Sequence, residues 1–183
     1  MRDIEQAALK DLMYENILTE NYIQSKGFSY TFLRDSIYFD MIPSYVGKNV
    51  FEIGQAIIPE GKGRVAYALR REMGEAAANV LTQDGHENKM YNITGSELYS
   101  FSDIVKVLTE ISGKQVVYND IPEDDFADLL RKIGLPEFEM YIATSFARDI
   151  KDGQFEFVYP DLEMLLGRKP SGLRESLKEI YNF

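Results

Sequence analysis

GFSYTFLRDSIY, residues 27–38, is the stretch on which the fold turns. Gly27 is a natural stop for a preceding helix, because glycine enters the left-handed backbone region without a Cβ penalty. Phe28 to Leu33 is rich in aromatics and includes Thr31, which reads as a strand. Arg34, Asp35 and Ser36 then form a polar exit at the carboxyl end of that strand.

Working outward, residues 4–26 carry Leu9, Leu12, Met13, Ile17, Tyr22 and Ile23 at helical spacing. Pro43, Gly47, Gly54 and Pro59 punctuate the stretch 41–62, which predicts a short helix and one short strand. Residues 63–69 alternate and read as a strand. A helix over 73–81 follows, with an alanine face at 76–78 suited to close packing on a sheet. A turn at 84–88 leads to a strand at 90–94. Ser100 or Ser102 caps a helix bearing Ile104, Val105, Leu108 and Ile111, which Gly113 ends. Gln115 to Tyr118 reads as a strand. Helices are expected at 123–133 and 137–151, then a short one capped by Asp161 and ended by Gly167, and a last one capped by Ser171. Strands alternating with helices argue an α/β fold.

Composition narrows the function. The chain of 183 residues has a formal charge of −10, opposed to the Lys/Arg clusters that phosphate backbones require, so nucleic acid is not an expected partner. No run approaches the roughly 18 apolar residues of a membrane span, and the N-terminus lacks the apolar centre of a signal peptide; a cytoplasmic location is expected. Without cysteine there is no thiolate nucleophile or thiolate metal site, and one histidine, His86, excludes a multi-histidine centre. His86 lies in the turn-forming Asp84-Gly-His-Glu-Asn88 and reads as a solvated loop residue rather than a general base. No metal site is expected.

Several motifs compete with plainer readings. No glycine begins a G-x-G-x-x-G after a strand, and no G-x-x-x-x-G-K-[ST] occurs. Gly61-Lys-Gly-Arg64 precedes a strand instead of following one, which favours a tight turn over a phosphate cradle. Tyr22 and Lys26 have the i, i+4 spacing in which a lysine lowers the pKa of a proton-passing tyrosine, but Lys26 also sits where any cation favours a helix C-terminus. Asp120, Glu123, Asp124, Asp125 and Asp128 could gather a hard cation, or simply open a helix. Asn92-Ile-Thr94 matches a glycosylation sequon, without a secretion signal to give it meaning.

The whole chain resembles the later part of the NmrA-like proteins, atypical short-chain dehydrogenases, and among them the bacterial NAD(P)H:quinone oxidoreductase type. Thr19-Glu20, the run from Ser25 to Asp35, and Tyr38 are similar to the family's T-E, S-G, Y-T-x-L-R-N and Y series. Gly63-Arg-Val-Ala66, Glu75-Ala-Ala-Ala78, Gly85-His-Glu87, Tyr91-Asn-Ile-Thr-Gly95, Ser112-Gly-Lys-Gln-Val116, Gly134-Leu-Pro136 and Leu166-Gly-Arg168 continue it in order. The resemblance implies a remnant of a Rossmann-like parallel sheet in residues 1–40 (a helix plus a late strand), then a small substrate-side α/β domain in 41–183. The family's Gly-rich nucleotide-binding half has no counterpart in this chain. NAD or NADP is implied as cofactor and a quinone-like molecule as acceptor, but with no dinucleotide loop the chain alone is expected not to turn the cofactor over.

Ligands of open parallel sheets gather beyond the carboxyl ends of strands. The resemblance therefore carries the rim of a nicotinamide and substrate pocket to Arg34, Asp35 and Tyr38. A surface ion pair for Arg34 and a core aromatic for Tyr38 are the structural alternatives. The chain departs from the pattern at Asp35, where the family has Asn, and at Asn16, where it often has His. A non-enzymatic, redox-sensing or regulatory binding module is the alternative function, and both departures fit it. A strand without its neighbours exposes an edge, so a homo-oligomer through residues 1–40 is expected.

Overall fold

The computed structural model describes residues 6–47 and 49–183. Helix α1 (Lys10–Ser25) passes through Gly27, at φ 70°, into strand β1 (Thr31–Asp35). A 3-10 turn at Phe39–Met41 precedes the short helices α2 (Ile42–Val46) and α3 (Val50–Ile53) and the strands β2 (Gln55–Ile57) and β3 (Arg64–Val65). Then come α4 (Arg70–Thr82), β4 (Lys89–Ile93), β5 (Tyr99–Ser100), α5 (Phe101–Ser112), β6 (Val117–Asn119) and α6 (Glu123–Lys132). α7 (Glu137–Lys151), α8 (Asp161–Leu166) and α9 (Leu173–Tyr181) complete the order. The fold is α/β, as the alternation predicts.

The strands form three pairs: β1 with β4 in parallel, β2 with β6 in parallel, and β3 with β5 antiparallel. In the first pair Leu33 lies opposite Tyr91 and Asp35 opposite Ile93. Leu33, Tyr91 and Ile93 pack with Met73 and Ala76 of α4 and Leu162 and Leu165 of α8. The other face of β1 meets α1: Gln24 Nε2 donates to the Tyr30 hydroxyl at 2.8 Å, and Arg34 pairs with Glu20. The unit around β1 thus draws on chain well beyond residue 40. The larger core gathers Phe39, Val65, Tyr67, Ile104, Leu108, Ile150 and Leu177 under α5, α7 and α9.

The two edges of the β1–β4 pair differ. On β4 the outward amide of Asn92 donates to the Asp161 carboxylate at 2.7 Å. On β1, Ser36 N donates to Ile93 O at 2.8 Å, so alternation turns the amides of Leu33 and Asp35 away from β4. Among the described residues no third strand pairs with this edge.

Local signals explain several boundaries. Ser100 and Asp103 cap α5 reciprocally: the Asp103 amide donates to the Ser100 hydroxyl at 3.2 Å, and Ser100 N to the Asp103 carboxylate at 2.9 Å. Gly113, at φ 68°, stops the helix. Gly63 is required by space, since a Cβ there would sit 2.1 Å from the Ile150 carbonyl oxygen. The start of the chain is fastened from afar: the Asp149 carboxylate of α7 accepts from Ala8 N at 2.6 Å and Leu9 N at 3.0 Å, with Leu9 fully buried.

Other expectations need correction. The first helix begins at Lys10, with Leu9 as its cap; the expected residues 4 and 5 lie outside the described ones. The strand expected over 28–33 runs from Thr31 to Asp35. The strand expected over 63–69 shrinks to Arg64–Val65, because β5 offers only two residues to pair with. Residues 65–69 do not alternate; all five are buried. Of the alanine face only Ala76 is buried. Ser171 does not cap the last helix: Gly172 holds that position, and the Ser171 hydroxyl and amide go to buried Glu72.

Candidate functional site

The carboxyl ends of β1 and β4 lie side by side. Arg34 and Asp35 are the last two residues of β1, so their side chains leave opposite faces. Arg34 Nε donates to Glu20 Oε1 at 2.9 Å, and its Nη2 to Glu20 Oε2, a bidentate pair that strengthens the guanidinium's hold on its proton. The structural alternative is therefore what the Arg34 side chain does. Asn16 stands one turn before Glu20 on α1, exposed, its amide reaching no further than the Leu12 carbonyl at 3.5 Å.

On the opposite face Asp35, Tyr38 and Arg70 come together. Desolvation pushes the Asp35 carboxyl above the ordinary aspartate range, and interaction with the Tyr38 hydroxyl opposes the rise. Desolvation and then the charge of Asp35 push the Tyr38 hydroxyl up in turn. The Arg70 guanidinium lies 4.8 Å from the centre of the Tyr38 ring, a cation–π contact. Arg70 is fixed by its own amide, which donates to Asp40 Oδ2 at 2.9 Å. Tyr38 bridges in parallel to Ala68, so it forms part of the wall and not a loose surface ring. Beside them the Ser36 hydroxyl is buried with no hydrogen-bond partner. The four expected site residues thus split: Asp35 and Tyr38 on one face, Arg34 and Asn16 on the other. Sequence reasoning missed Arg70, 32 residues from Tyr38, and passed over Ser36 as part of a polar exit.

The electrostatics of the helix ends bear on a dinucleotide. Phosphate groups seek free amides at helix N-termini. Among the described helices of eight or more residues, each carries an acid in its first turn: Asp11, Glu72, Asp103, Glu123, Glu137 and Glu175. Asp149, Asp40 and Asp103 already accept from amides at the starts of α1, α4 and α5. A pyrophosphate would meet carboxylates there. None of these helix starts offers a pyrophosphate amides without a carboxylate beside them.

Other motifs resolve structurally. Lys26 Nζ lies 5.1 Å from the Tyr22 ring centre, over its face, on an exposed stretch of helix. His86 is not a free loop residue: Nδ1 is 2.8 Å from the Tyr91 hydroxyl, and its carbonyl accepts from Thr31 Oγ1 at 2.7 Å. In the acidic cluster Glu123 pairs with Arg148 and Asp128 with Arg131. No group of three or more metal-ligating side chains occurs among the described residues. Gly61 and Lys62 form a turn, closed by Gly63 N donating to Glu60 O at 3.0 Å. Thr94 of the sequon is buried, exchanging hydrogen bonds with Tyr159. No helix among the described residues is long and apolar enough to cross a membrane.

Parallel strand pairs alternating with helices, with polar side chains beyond the strand ends, define the fold of the NAD(P)-binding reductases. The chain superposes on triphenylmethane reductase from Citrobacter sp. with a TM-score of 0.90, at 30% identity over 98% of this chain and 62% of that one. It superposes equally on an NADPH-dependent quinone oxidoreductase from Escherichia coli complexed with NADPH, with a TM-score of 0.89 and 30% identity, covering 98% and 62%. In sequence it is 34% identical to quinone oxidoreductase 2 of Escherichia coli over 173 residues, 92% of this chain and 58% of that protein. An NmrA-like family domain-containing oxidoreductase of Aspergillus flavus is 25% identical over 113 residues, 62% of this chain and 36% of that protein. No protein-family model matches the sequence. Its relatives thus include a quinone oxidoreductase and an NmrA-like oxidoreductase, and the chain spans about three fifths of the length of the quinone oxidoreductase it matches.

Proposed function

We propose that this chain is the acceptor-side portion of an NAD(P)H-dependent quinone-type oxidoreductase, and that alone it neither holds the dinucleotide nor turns it over. The observation that carries this reading is the carboxylate at every long helix N-terminus described above, in a fold whose relatives include an enzyme complexed with NADPH. In such a reductase the nicotinamide supplies a hydride. The part left to this chain is the rim: Asp35 and Tyr38 offer an acceptor and a donor beside a buried free hydroxyl at Ser36, and Arg70 adds a fixed positive charge. Arg34 braces β1 against α1 through Glu20 and supports the rim from behind.

The reading extends to association. Leu18, Tyr22 and Phe28 are each more than 60% exposed, beside the unpaired edge of β1, and two copies burying these would complete a sheet. The ligand reading is tested by NMR titration with a water-soluble quinone. Shifts centred on the amides of Asp35, Ser36, Tyr38 and Arg70 are expected; shifts confined elsewhere, or none at saturation, would remove the assignment of the rim.

A further inference from the structure

Glu60 contradicts the usual rule for acids. Its side chain is 1% exposed, and neither carboxyl oxygen has a hydrogen-bond partner. An ionised carboxyl in that position would be an unpaired buried charge, among the costliest things a fold can contain. The groups around it offer no cation. Tyr45 comes from α2, Tyr67 from the strip after β3, and Tyr118 and Asp120 from β6 and its end. Lys151 of α7 lies 3.9 Å from Glu123. Lys62, on the same loop, is exposed. Burial first, and then the charge of Asp120, push the Glu60 carboxyl up to about 8, so it is carried as the neutral acid at neutral pH.

The loop that holds it is fastened at several points. It begins at Ile58, whose carbonyl accepts from the Tyr118 hydroxyl at 3.1 Å. Gly61 sits at φ 56°, its amide 3.3 Å from Asp120 Oδ1, and Gly63 rests on the Ile150 carbonyl. On its inner side the loop closes over Tyr67, whose ring stacks on Phe39 at 5.4 Å between centres. Phe39 N donates to Ala68 O at 3.0 Å, and Ala68 bridges to Tyr38. The strip that supports the rim is thus the strip the loop covers.

We propose that the loop Ile58–Gly63 is an alkaline-sensitive latch, closed while Glu60 keeps its proton and released when Glu60 loses it, and that release loosens the Tyr67–Ala68 strip behind Tyr38. Ionised Glu60 faces the negative charge of Asp120 and three neutral phenols, and it reaches water only by swinging the loop out about its glycines. The latch is independent of what the rim binds.

The test is a pH titration of the whole chain by carbon-detected NMR on the Glu60 carboxyl, with hydrogen exchange of residues 58–69 corrected for the intrinsic chemical rate. The carboxyl is expected to titrate near pH 8, the amides of Phe39 and Ala68 to shift with the same midpoint, and loop exchange to rise at least tenfold across it. Glu60→Gln should abolish the pH-dependent exchange, and Asp120→Asn should lower the midpoint in a chain that keeps its native Glu60. A Glu60 carboxyl titrating below pH 6, or a loop whose protection stays constant while Glu60 titrates, would overturn the proposal. So would a Glu60→Gln chain that keeps the wild-type pH dependence.

Discussion

Replacing Asp149 by alanine should release the first helix from the body of the protein. The carboxylate is 1% exposed and accepts two backbone amides, Ala8 at 2.6 Å and Leu9 at 3.0 Å, across 140 residues of sequence. Removing it leaves two donors short of a partner in a buried setting, each costing about 1–3 kcal/mol. Against this stands the cost of burying the carboxylate itself, visible as a pKa pushed upward by desolvation, which the substitution relieves. A net loss of about 3 kcal/mol follows, and for a chain of this length about 2–4 °C of Tm accompanies each kcal/mol. The melting temperature should therefore fall by roughly 6–12 °C. Asp149→Asn keeps one acceptor and should fall by roughly half as much. Hydrogen exchange at Ala8 and Leu9 should accelerate in both variants, Leu9 being the fully buried anchor that precedes α1. An alanine variant that melts within 2 °C of wild type, with those amides still protected (an order-of-magnitude threshold from the same scaling), would refute the fastening.

Three further outcomes follow from the same structure. Gly63→Ala should destabilise by about 3 kcal/mol or more, because its Cβ would lie 2.1 Å from the Ile150 carbonyl, whereas Gly74→Ala on the exposed face of α4, with nothing within 4 Å, should stabilise by about 0.5–1 kcal/mol; denaturant melts compare the two. For Glu60 the folded pKa, about 8, exceeds the ordinary 4.5, so its contribution is full in acid and lost as pH rises from 4.5 to 8. That interval corresponds to at most about 5 kcal/mol, and Glu60→Gln should flatten the stability profile across it in chemical denaturation. Sedimentation should show a dimer or larger assembly that Leu18→Glu with Tyr22→Glu dissociates; a monomer at every concentration would count against burial of the β1 edge.

How far the sequence could be read depended on the range of the interaction concerned. Gly27 and Gly113 end the helices before them, and Ser100 caps α5, because the signal and its effect lie within a turn of each other. Residues 63–69 have strand-like apolar content, yet their pairing depends on β5, which supplies two partners. Ser171 is a good cap by type, but Glu72, 99 residues earlier, takes its hydroxyl and amide. The site was half legible for the same reason. Asp35 and Tyr38 are neighbours in sequence and remain so in space, while Arg70 joins them only through the bridge between Tyr38 and Ala68. The place of Arg34 at the strand end allows either a rim residue or a surface ion pair, and its side chain pairs with Glu20 because adjacent strand residues face opposite ways. Nothing in the local sequence marks Glu60 as buried and unpartnered.

The central claim is that this chain carries the rim of a reductase site without the phosphate cradle. Calorimetric titration of the chain with NADPH tests it directly. The account predicts no saturable heat up to millimolar nucleotide, with no oxidation of NADPH in the presence of a quinone. Saturable binding in the micromolar range would contradict it, since the amides needed to hold the phosphates would then have to exist where the structure places carboxylates.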